Sequence, residues 1–324
     1  MKKLITILTA VVTVFFTSCN DDEFAARTPK ADINVNQTSL EINQSMIIHF
    51  VGVADQVVIY TGDEGHDYAL RNQSNTGFVV NKGLFSYSYS VPGTFHVVCI
   101  ATTYDAFLGG NLQTDIHEFD VTVSDDVTEI RQLYSSITPN VYYAELVDDV
   151  NWVLRLPTKQ VYNNREINLN ATRQRLSFDI ASDSSKIFID EELYATKNYY
   201  DLTVKHAIRV EAYSGSVRNY TLHTLVYPEF TTINIGEATG TLTRNAYYQD
   251  LLTYTFNLPE GVARNAAPLT FSLPDDVVLM ANGKALKTGD KVDLDAEGTY
   301  SLVRTLSGNS LITATSRLIF KVQE

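Results

Sequence analysis

Three adjacent tyrosine pairs, Tyr142-Tyr143, Tyr199-Tyr200 and Tyr247-Tyr248, are the residues of this 324-residue sequence best suited to hold a ligand. A tyrosine ring offers a broad apolar face, immobilised at the cost of two torsions, with a hydroxyl at its edge, so an exposed ring can stack on the C–H face of a sugar. Neighbouring residues of a strand point to opposite sides. One ring of each pair is therefore expected outside wherever the pair lies in a strand. Tyr143, Tyr200 and Tyr248 are the candidate ligand-binding members, although alternation alone does not decide between the two rings of a pair. The lone Trp152 shares a face with Val150, Leu154 and Leu156 in a strand-like run and is expected in the core.

The acidic run Gly62-Asp63-Glu64-Gly65-His66-Asp67 could serve a hard cation, with Asp63, Glu64 and Asp67 as oxygen donors to calcium. It lacks the alternating aspartates and distal glutamate of a dedicated calcium loop, and Asp and Gly are also what tight turns favour. A plain turn is the main expectation and calcium the alternative. Catalytic signatures are missing: there is no G-x-S-x-G elbow, no H-E-x-x-H, no glycine-rich phosphate loop and no C-x-x-C. The six histidines are scattered, and none stands two or four positions from another. Cys99, within Val97-Val98-Cys99-Ile100, has the pattern of a small buried hydrophobe. No metal site, no cofactor and no enzyme activity is expected.

Cys19 carries a different chemistry. Lys2 and Lys3 precede a run from Leu4 to Phe16 that is apolar except for Thr6, Thr9 and Thr13, which is a signal-peptide layout. The run is shorter than the roughly 20 residues a spanning helix needs, and it ends in Thr17-Ser18-Cys19. Small residues before a cysteine resemble the bacterial lipobox, which implies cleavage after residue 18 and acylation of the Cys19 thiol. Each buried methylene of such a chain contributes about 0.8 kcal/mol, and several chains make the attachment durable. Asn20-Asp21-Asp22-Glu23 resembles the surface-export tag of Bacteroidetes lipoproteins, and residues 19–31 read as a flexible acidic tether without hydrophobic periodicity.

The formal charge is -13, and loss of Lys2 and Lys3 with the signal makes it -15. Such a surface is a poor partner for nucleic acid or an anionic membrane face. With 44% hydrophobic and 19% charged residues the mature chain can bury sizeable cores, and its length suggests two or three domains.

Beyond the signal the dominant hydrophobic period is two. Ile33 and Val35, Leu40 and Ile42, the run Val57 to Tyr60, and Phe85-Ser-Tyr87-Ser-Tyr89-Ser all read as strands. Pro92-Gly93, Ser214-Gly215, Asn282-Gly283, Gly289-Asp290 and Ser307-Gly308-Asn309 supply the turns, Asn282-Gly283 being the strongest hairpin signal. Ala207 to Tyr213 and Asn219 to Val226 read as the closing hairpin of a middle block. Pro92-Gly93-Thr94-Phe95 and Glu297-Gly298-Thr299-Tyr300 form a weak internal echo near the ends of two other blocks. The expected fold class is all-β, with three tandem Ig-like sandwiches at residues 32–125, 126–228 and 229–324.

The first block also supports a family resemblance. Tyr87-Ser-Tyr89-Ser-Val-Pro92-Gly93-Thr94-Phe95-His-Val-Val is similar to the Y-x-Y-x-x-P-G-T-Y-x-V stretch of PKD (polycystic kidney disease) domains. Val57-Val-Ile-Tyr60-Thr-Gly62-Asp63-Glu64-Gly65 stands where those domains carry W-D-F-G-D-G, without the tryptophan and with an extra acidic residue. The likeness is to the divergent PKD-like type at the N-terminus of Bacteroidetes surface lipoproteins. It implies a spacer or binding module over residues 32–125 and contributes no catalytic residue.

Two functions are expected to compete. One is a surface glycan-binding lipoprotein that presents tyrosines of its distal blocks to a polysaccharide, for import by an outer-membrane transporter. The other is a structural or adhesion lipoprotein whose outer sandwich contacts protein. In both, the lipid on Cys19 holds the chain to the outer membrane, facing the cell surface.

Overall fold

In the computed structural model, residues 27–104, 112–294 and 299–323 are described; the signal, Cys19, most of the tether and Glu297-Gly298 lie outside them. The described chain is all-β, apart from one short 3-10 turn at Tyr68–Leu70, and none of its helices is long and apolar enough to cross a membrane. It divides into two compact units, residues 1–125 and 126–324.

The first unit is a sandwich of a three-stranded sheet (Ile33–Val35, Ser45–Phe50, Leu84–Ser88) and a five-stranded sheet led by the long hairpin Gly93–Tyr104 and Leu112–Ser124. The N-terminal segment serves both layers: Ile33–Val35 pairs with Ser45–Phe50, while Ser39–Glu41 runs parallel to the end of the last strand. Alternation places Met46, Ile48, Ile59, Val97, Cys99 and Val121 in one core. Phe85, Tyr87 and Tyr89 face inward and Ser86, Ser88 and Ser90 outward, as their spacing predicts. Gly62 has a positive φ of 81°, and a Cβ there would fall 2.4 Å from the His96 carbonyl oxygen, so this turn admits only glycine.

The second unit holds two large cores. The first is enclosed by an eight-stranded sheet in which Asn140–Leu146 is the pivot: Asn140 to Tyr143 pair with Ile130–Ile137, whereas Ala144 to Leu146 pair with Asn151–Leu156. One strand thus crosses from one half of the sheet to the other. Asn151–Leu156 lies parallel to Val217–Val226 and is covered on both faces: Trp152, Leu154 and Leu156 enter the main core, and Val153 enters a smaller cluster on the other side. This explains its almost continuous apolar sequence. Val150, predicted on the Trp152 face, lies before the strand and is exposed. The closing hairpin His206–Glu211 with Val217–Val226 forms as expected, turning at Gly215 with a positive φ.

The second core lies between a four-stranded and a six-stranded sheet and contains Ile233, Tyr254, Phe256, Leu269, Leu279 and Leu302. Again one early strand, Leu251–Phe256, runs parallel to the last strand, Asn309–Val322. Asn282 and Gly283 both take positive φ (48° and 79°) between the paired residues Ala281 and Lys284, the geometry a type I′ hairpin demands.

The two cores are joined by the small cluster of Val153, Leu225, Ile312 and Ala314, packed by Val147, Tyr227 and Leu306. Hydrogen bonds cross the same seam: Arg155 Nε donates to the Thr313 carbonyl at 2.6 Å, Arg304 Nη1 to the Val226 carbonyl at 2.7 Å, and Ser316 Oγ to the Pro228 carbonyl at 2.7 Å. Arg244, almost buried, spans Glu166 and Glu229 at 2.7 and 2.5 Å. Desolvated guanidinium–carboxylate bonds of this kind fix geometry more firmly than exposed ones.

Candidate functional site

A cleft of about 290 Å³ opens in the second unit where residues of its two cores approach each other, and tyrosines form much of its wall. The β-ladder determines one side. Pairing between Asn140–Leu146 and Asn151–Leu156 ends at Ala144 and Leu154; the next residues in that register, Tyr143 and Arg155, both line the opening. Tyr143 is 62% exposed, while its neighbour Tyr142 is 6% exposed and packs into the core. Alternation therefore assigns this pair as the sequence predicts.

Beneath Tyr143 lies a closed polar network. The Tyr142 hydroxyl donates to Gln160 Oε1 at 2.9 Å, Asn140 Nδ2 donates to the same oxygen at 3.1 Å, and Gln160 Nε2 donates to the Thr138 carbonyl at 2.7 Å. Gln160 is buried, so each of these bonds offsets a desolvation cost. Burial raises the Tyr142 hydroxyl above the ordinary tyrosine range. On the surface, the Tyr143 ring leans on Tyr134 of the adjacent strand, centroids 5.4 Å apart.

The opposite wall is the loop from Asn245 to Asp250. Asn245 Oδ1 accepts from the backbone N–H groups of Tyr247 and Tyr248, at 2.8 and 2.9 Å, an Asx turn. Asp250 closes the loop by receiving Arg317 through both carboxylate oxygens, at 2.6 and 3.0 Å, a bidentate pair with little freedom. Tyr247 and Tyr248 are consequently displayed at 89% and 60% exposure on a fixed backbone. Because the pair lies in a turn, both rings face outward, where strand alternation predicts one.

Between the walls stands Arg155, whose Nη1 donates to Glu145 Oε2 at 2.6 Å. Tyr227 also lines the cleft, its hydroxyl held above the usual range first by burial and then by the charge of Asp250. Asn140, Gln249 and Asp250 add amide and carboxylate groups. Apolar ring faces beside fixed donors and acceptors are what an uncharged polyhydroxylated ligand requires.

The remaining sequence candidates go elsewhere. Tyr200 is in a separate hollow about the turn at Asp190 and the start of the strand at His206. Its pair lies in a loop rather than a strand, so alternation does not apply to it; the more exposed ring is that of Tyr199, at 47%, while Tyr200 is half-buried, packing against the core and lining the hollow. The three carboxylates Asp63, Glu64 and Asp67 do not converge. Asp63 accepts from Thr61 and Tyr87 at 2.5 Å each, and Asp67 caps the 3-10 turn through the Ala69 N–H. Among the described residues no group of three His, Cys, Asp or Glu side chains is placed to hold a metal. Trp152, 4% exposed, and Cys99, fully buried, belong to cores as predicted. Cys19 lies outside the described residues. The sequence gives no signal for Tyr227, Arg155 or Asp250 as partners of Tyr143, since the cleft exists only through contacts between distant segments.

The fold and cleft together define a chain of tandem β-sandwiches with a tyrosine-walled opening in its second unit. No protein-family model matches the chain, and no curated protein sequence does either. Among solved structures it is similar to the N-terminal eight Ig domains of the Down syndrome cell adhesion molecule, with 8% identity, coverage of 92% of this chain and 42% of that one, and a TM-score of 0.26. It is similar also to carbohydrate-binding modules of the β-sandwich superfamily (8% identity, 61% and 85% coverage, TM-score 0.24). A third is the Ca2+-stabilized adhesin with which an Antarctic bacterium binds ice (15% identity, 92% and 75% coverage, TM-score 0.23). At TM-scores this low none of them bears on ligand, partner or activity.

Proposed function

We propose that this chain is a non-catalytic polysaccharide-binding lipoprotein, anchored in the outer membrane through acylated Cys19 and facing the cell surface. The observation that carries the reading is the convergence of Tyr143, Tyr247 and Tyr248 on one cleft beside Asn140, Gln249, Asp250 and Arg155. Pyranose rings stack on the exposed tyrosine faces, and their hydroxyls bond the amides of Asn140 and Gln249 and the carboxylate of Asp250. In chain order the acidic tether and the PKD-like block precede the cleft and act as spacer. An outer-membrane transporter is the partner to which captured glycan passes.

The test is native gel electrophoresis of residues 20–324 through gels containing neutral plant and microbial polysaccharides. Retardation by at least one, reduced in a variant lacking the cleft tyrosines, is expected. Unchanged migration across a broad panel contradicts the reading and turns attention to a protein ligand.

A further inference from the structure

The hollow that holds Tyr200 is larger than the cleft, about 600 Å³, and its construction is unlike that of a gap beneath a loose loop. Its walls come from the hairpin turn at Asp190 and Glu192 and from the loop Lys197 to Asp201. One buried side chain ties them together. His206, 5% exposed, lies with Nδ1 2.6 Å from Asp190 Oδ2 and Nε2 2.8 Å from the carbonyl oxygen of Asp201. The second Asp190 oxygen accepts from the Ala207 N–H at 2.9 Å. Asp190 and its neighbour Glu191 both hold positive φ, 51° and 68°, a conformation costing a non-glycine residue about 1–2 kcal/mol; the His206 contact and the Ala207 bond hold this turn in place.

The aromatic groups are equally fixed. Tyr200 exchanges two backbone hydrogen bonds with Gln174, at 2.8 and 2.9 Å, and its ring meets His206 edge-on at 5.9 Å. Tyr199 is held by the guanidinium groups of Arg173 and Arg175, 4.2 and 4.9 Å from its ring centre, and Arg175 donates to its hydroxyl at 3.1 Å. Rings immobilised before binding lose little further freedom on contact with a ligand. Around them stand acceptors and donors: the carboxylates of Glu192, Asp190 and Asp201, the amide of Asn198 and the ammonium of Lys197. Burial, with a further contribution from Glu192 and Asp190, raises the Tyr200 hydroxyl above its usual range, so it stays a donor at neutral pH. Among the lining residues three carboxylates stand beside the one ammonium of Lys197, Arg173 and Arg175 being stacked on the Tyr199 ring, and such acceptors suit hydroxyls that donate to them.

We infer that this hollow is a second sugar site on the same unit, selective for an uncharged pyranose over a uronic acid, with Tyr200 as the stacking ring and Glu192 and Asn198 as hydroxyl partners. For its ligand class the inference rests on the reading of the chain as a polysaccharide binder; for its geometry it does not. Two sites on one unit raise the retention of a long polymer above that of a short oligomer without any new contact.

The experiment is calorimetric titration of residues 20–324 with cellohexaose, maltohexaose, xylohexaose and mannohexaose, with hexagalacturonate as the charged control. Two binding events are expected for one of the neutral hexamers. Tyr200→Ala removes one event and leaves the other, and Tyr143→Ala combined with Tyr248→Ala does the converse. Glu192→Gln, at an exposed position, weakens the same event as Tyr200→Ala about tenfold and serves should the tyrosine change disturb the core. A single event unaffected by Tyr200→Ala and Glu192→Gln overturns the second site and leaves the cleft standing. A single event lost with Tyr200→Ala but indifferent to the cleft changes does the opposite. Heat with none of the neutral hexamers overturns both, and tighter binding of hexagalacturonate overturns the assignment to uncharged sugar.

Discussion

Tyr143 and Arg155 are the first pair that the ladder between Asn140–Leu146 and Asn151–Leu156 leaves open, and both become walls of the cleft. The strand that carries Tyr143 changes partner at this point, pairing with Ile130–Ile137 before it and with Asn151–Leu156 after it. Tyr143 is paired with Tyr134 on one edge of its strand, while on the other edge the ladder to Asn151–Leu156 stops at Ala144. The gap so created exposes side chains on an otherwise rigid scaffold, an economical way to place a binding surface. Arg155 also reaches across to Thr313, so the opening and the seam between the two cores share a residue.

That sharing makes the seam relevant to binding. Ile312 is fully buried in the small cluster joining the cores, and Ile312→Ala should cost about 2–4 kcal/mol. Residues 126–324 are expected to melt as one calorimetric transition, and the variant is expected to separate it into two. A single undivided transition at lower temperature in the variant would show that the seam is not where the cores are coupled.

Cys99 should be chemically silent. It is fully buried and burial alone pushes its thiol up to about 11, so the thiolate that reacts with disulfide reagents is scarce at neutral pH. In a protein beginning at residue 20 it is the one remaining cysteine. No colour with a dithionitrobenzoate reagent is expected in the folded protein at about pH 8, and one full equivalent in denaturant. Rapid reaction without denaturant would mean that the first core opens readily.

Two histidines should titrate in opposite directions from the ordinary value. Burial, then the charge of Lys205, holds His223 below the usual imidazole range, whereas the hydrogen bond that the exposed His96 donates to the Asp120 carboxylate holds that ring above it. For His223 the unfolded chain takes the proton first, so its contribution to stability is present above roughly pH 6.5 and is lost as pH falls. His223→Gln should flatten the acid limb of the stability profile between about pH 7 and pH 5, measured by denaturant unfolding with the buried Trp152 as the fluorescent reporter. An equally steep limb in the variant would assign the acid sensitivity to other groups.

Anchoring through Cys19 has its own test. Cells expressing the full chain with Cys19→Ala should lose all labelling by an alkyne fatty-acid probe and release the protein from the membrane fraction. Persistent labelling would contradict lipid attachment at this position.

How far the sequence exposes this site depends on where each tyrosine sits. Alternation works for Tyr142 and Tyr143 because they lie in a regular strand, and for Trp152 because its neighbours Leu154 and Leu156 share a buried face. It fails for Tyr247 and Tyr248, since an Asx turn on Asn245 has no two-residue period, and for Tyr200, which sits in a loop bonded to Gln174. The hairpin at Asn282 and Gly283 is legible because its φ requirement is local. The cleft is not, because it needs Asn140 to Tyr143 and Tyr247 to Asp250 together, and no local pattern encodes contact between segments so far apart in the chain. The acidic run at Asp63 is legible as a turn from its Gly and Asp content, but not the bonds that engage it: Asp63 accepts from Thr61 and Tyr87 and Asp67 from Ala69, and the run's own composition does not reveal Thr61 or Tyr87.

The most direct measurement is the dissociation constant of residues 20–324 for a polysaccharide that retards it, compared with that of the triple variant Tyr143→Ala, Tyr247→Ala, Tyr248→Ala. The three rings are exposed, so folding stability should change by no more than roughly 0.5 kcal/mol per site. Binding should weaken about tenfold or more for each ring that stacks on sugar, or about 1.4 kcal/mol apiece. Unaltered affinity in a folded triple variant would contradict the assignment of the cleft as the sugar site.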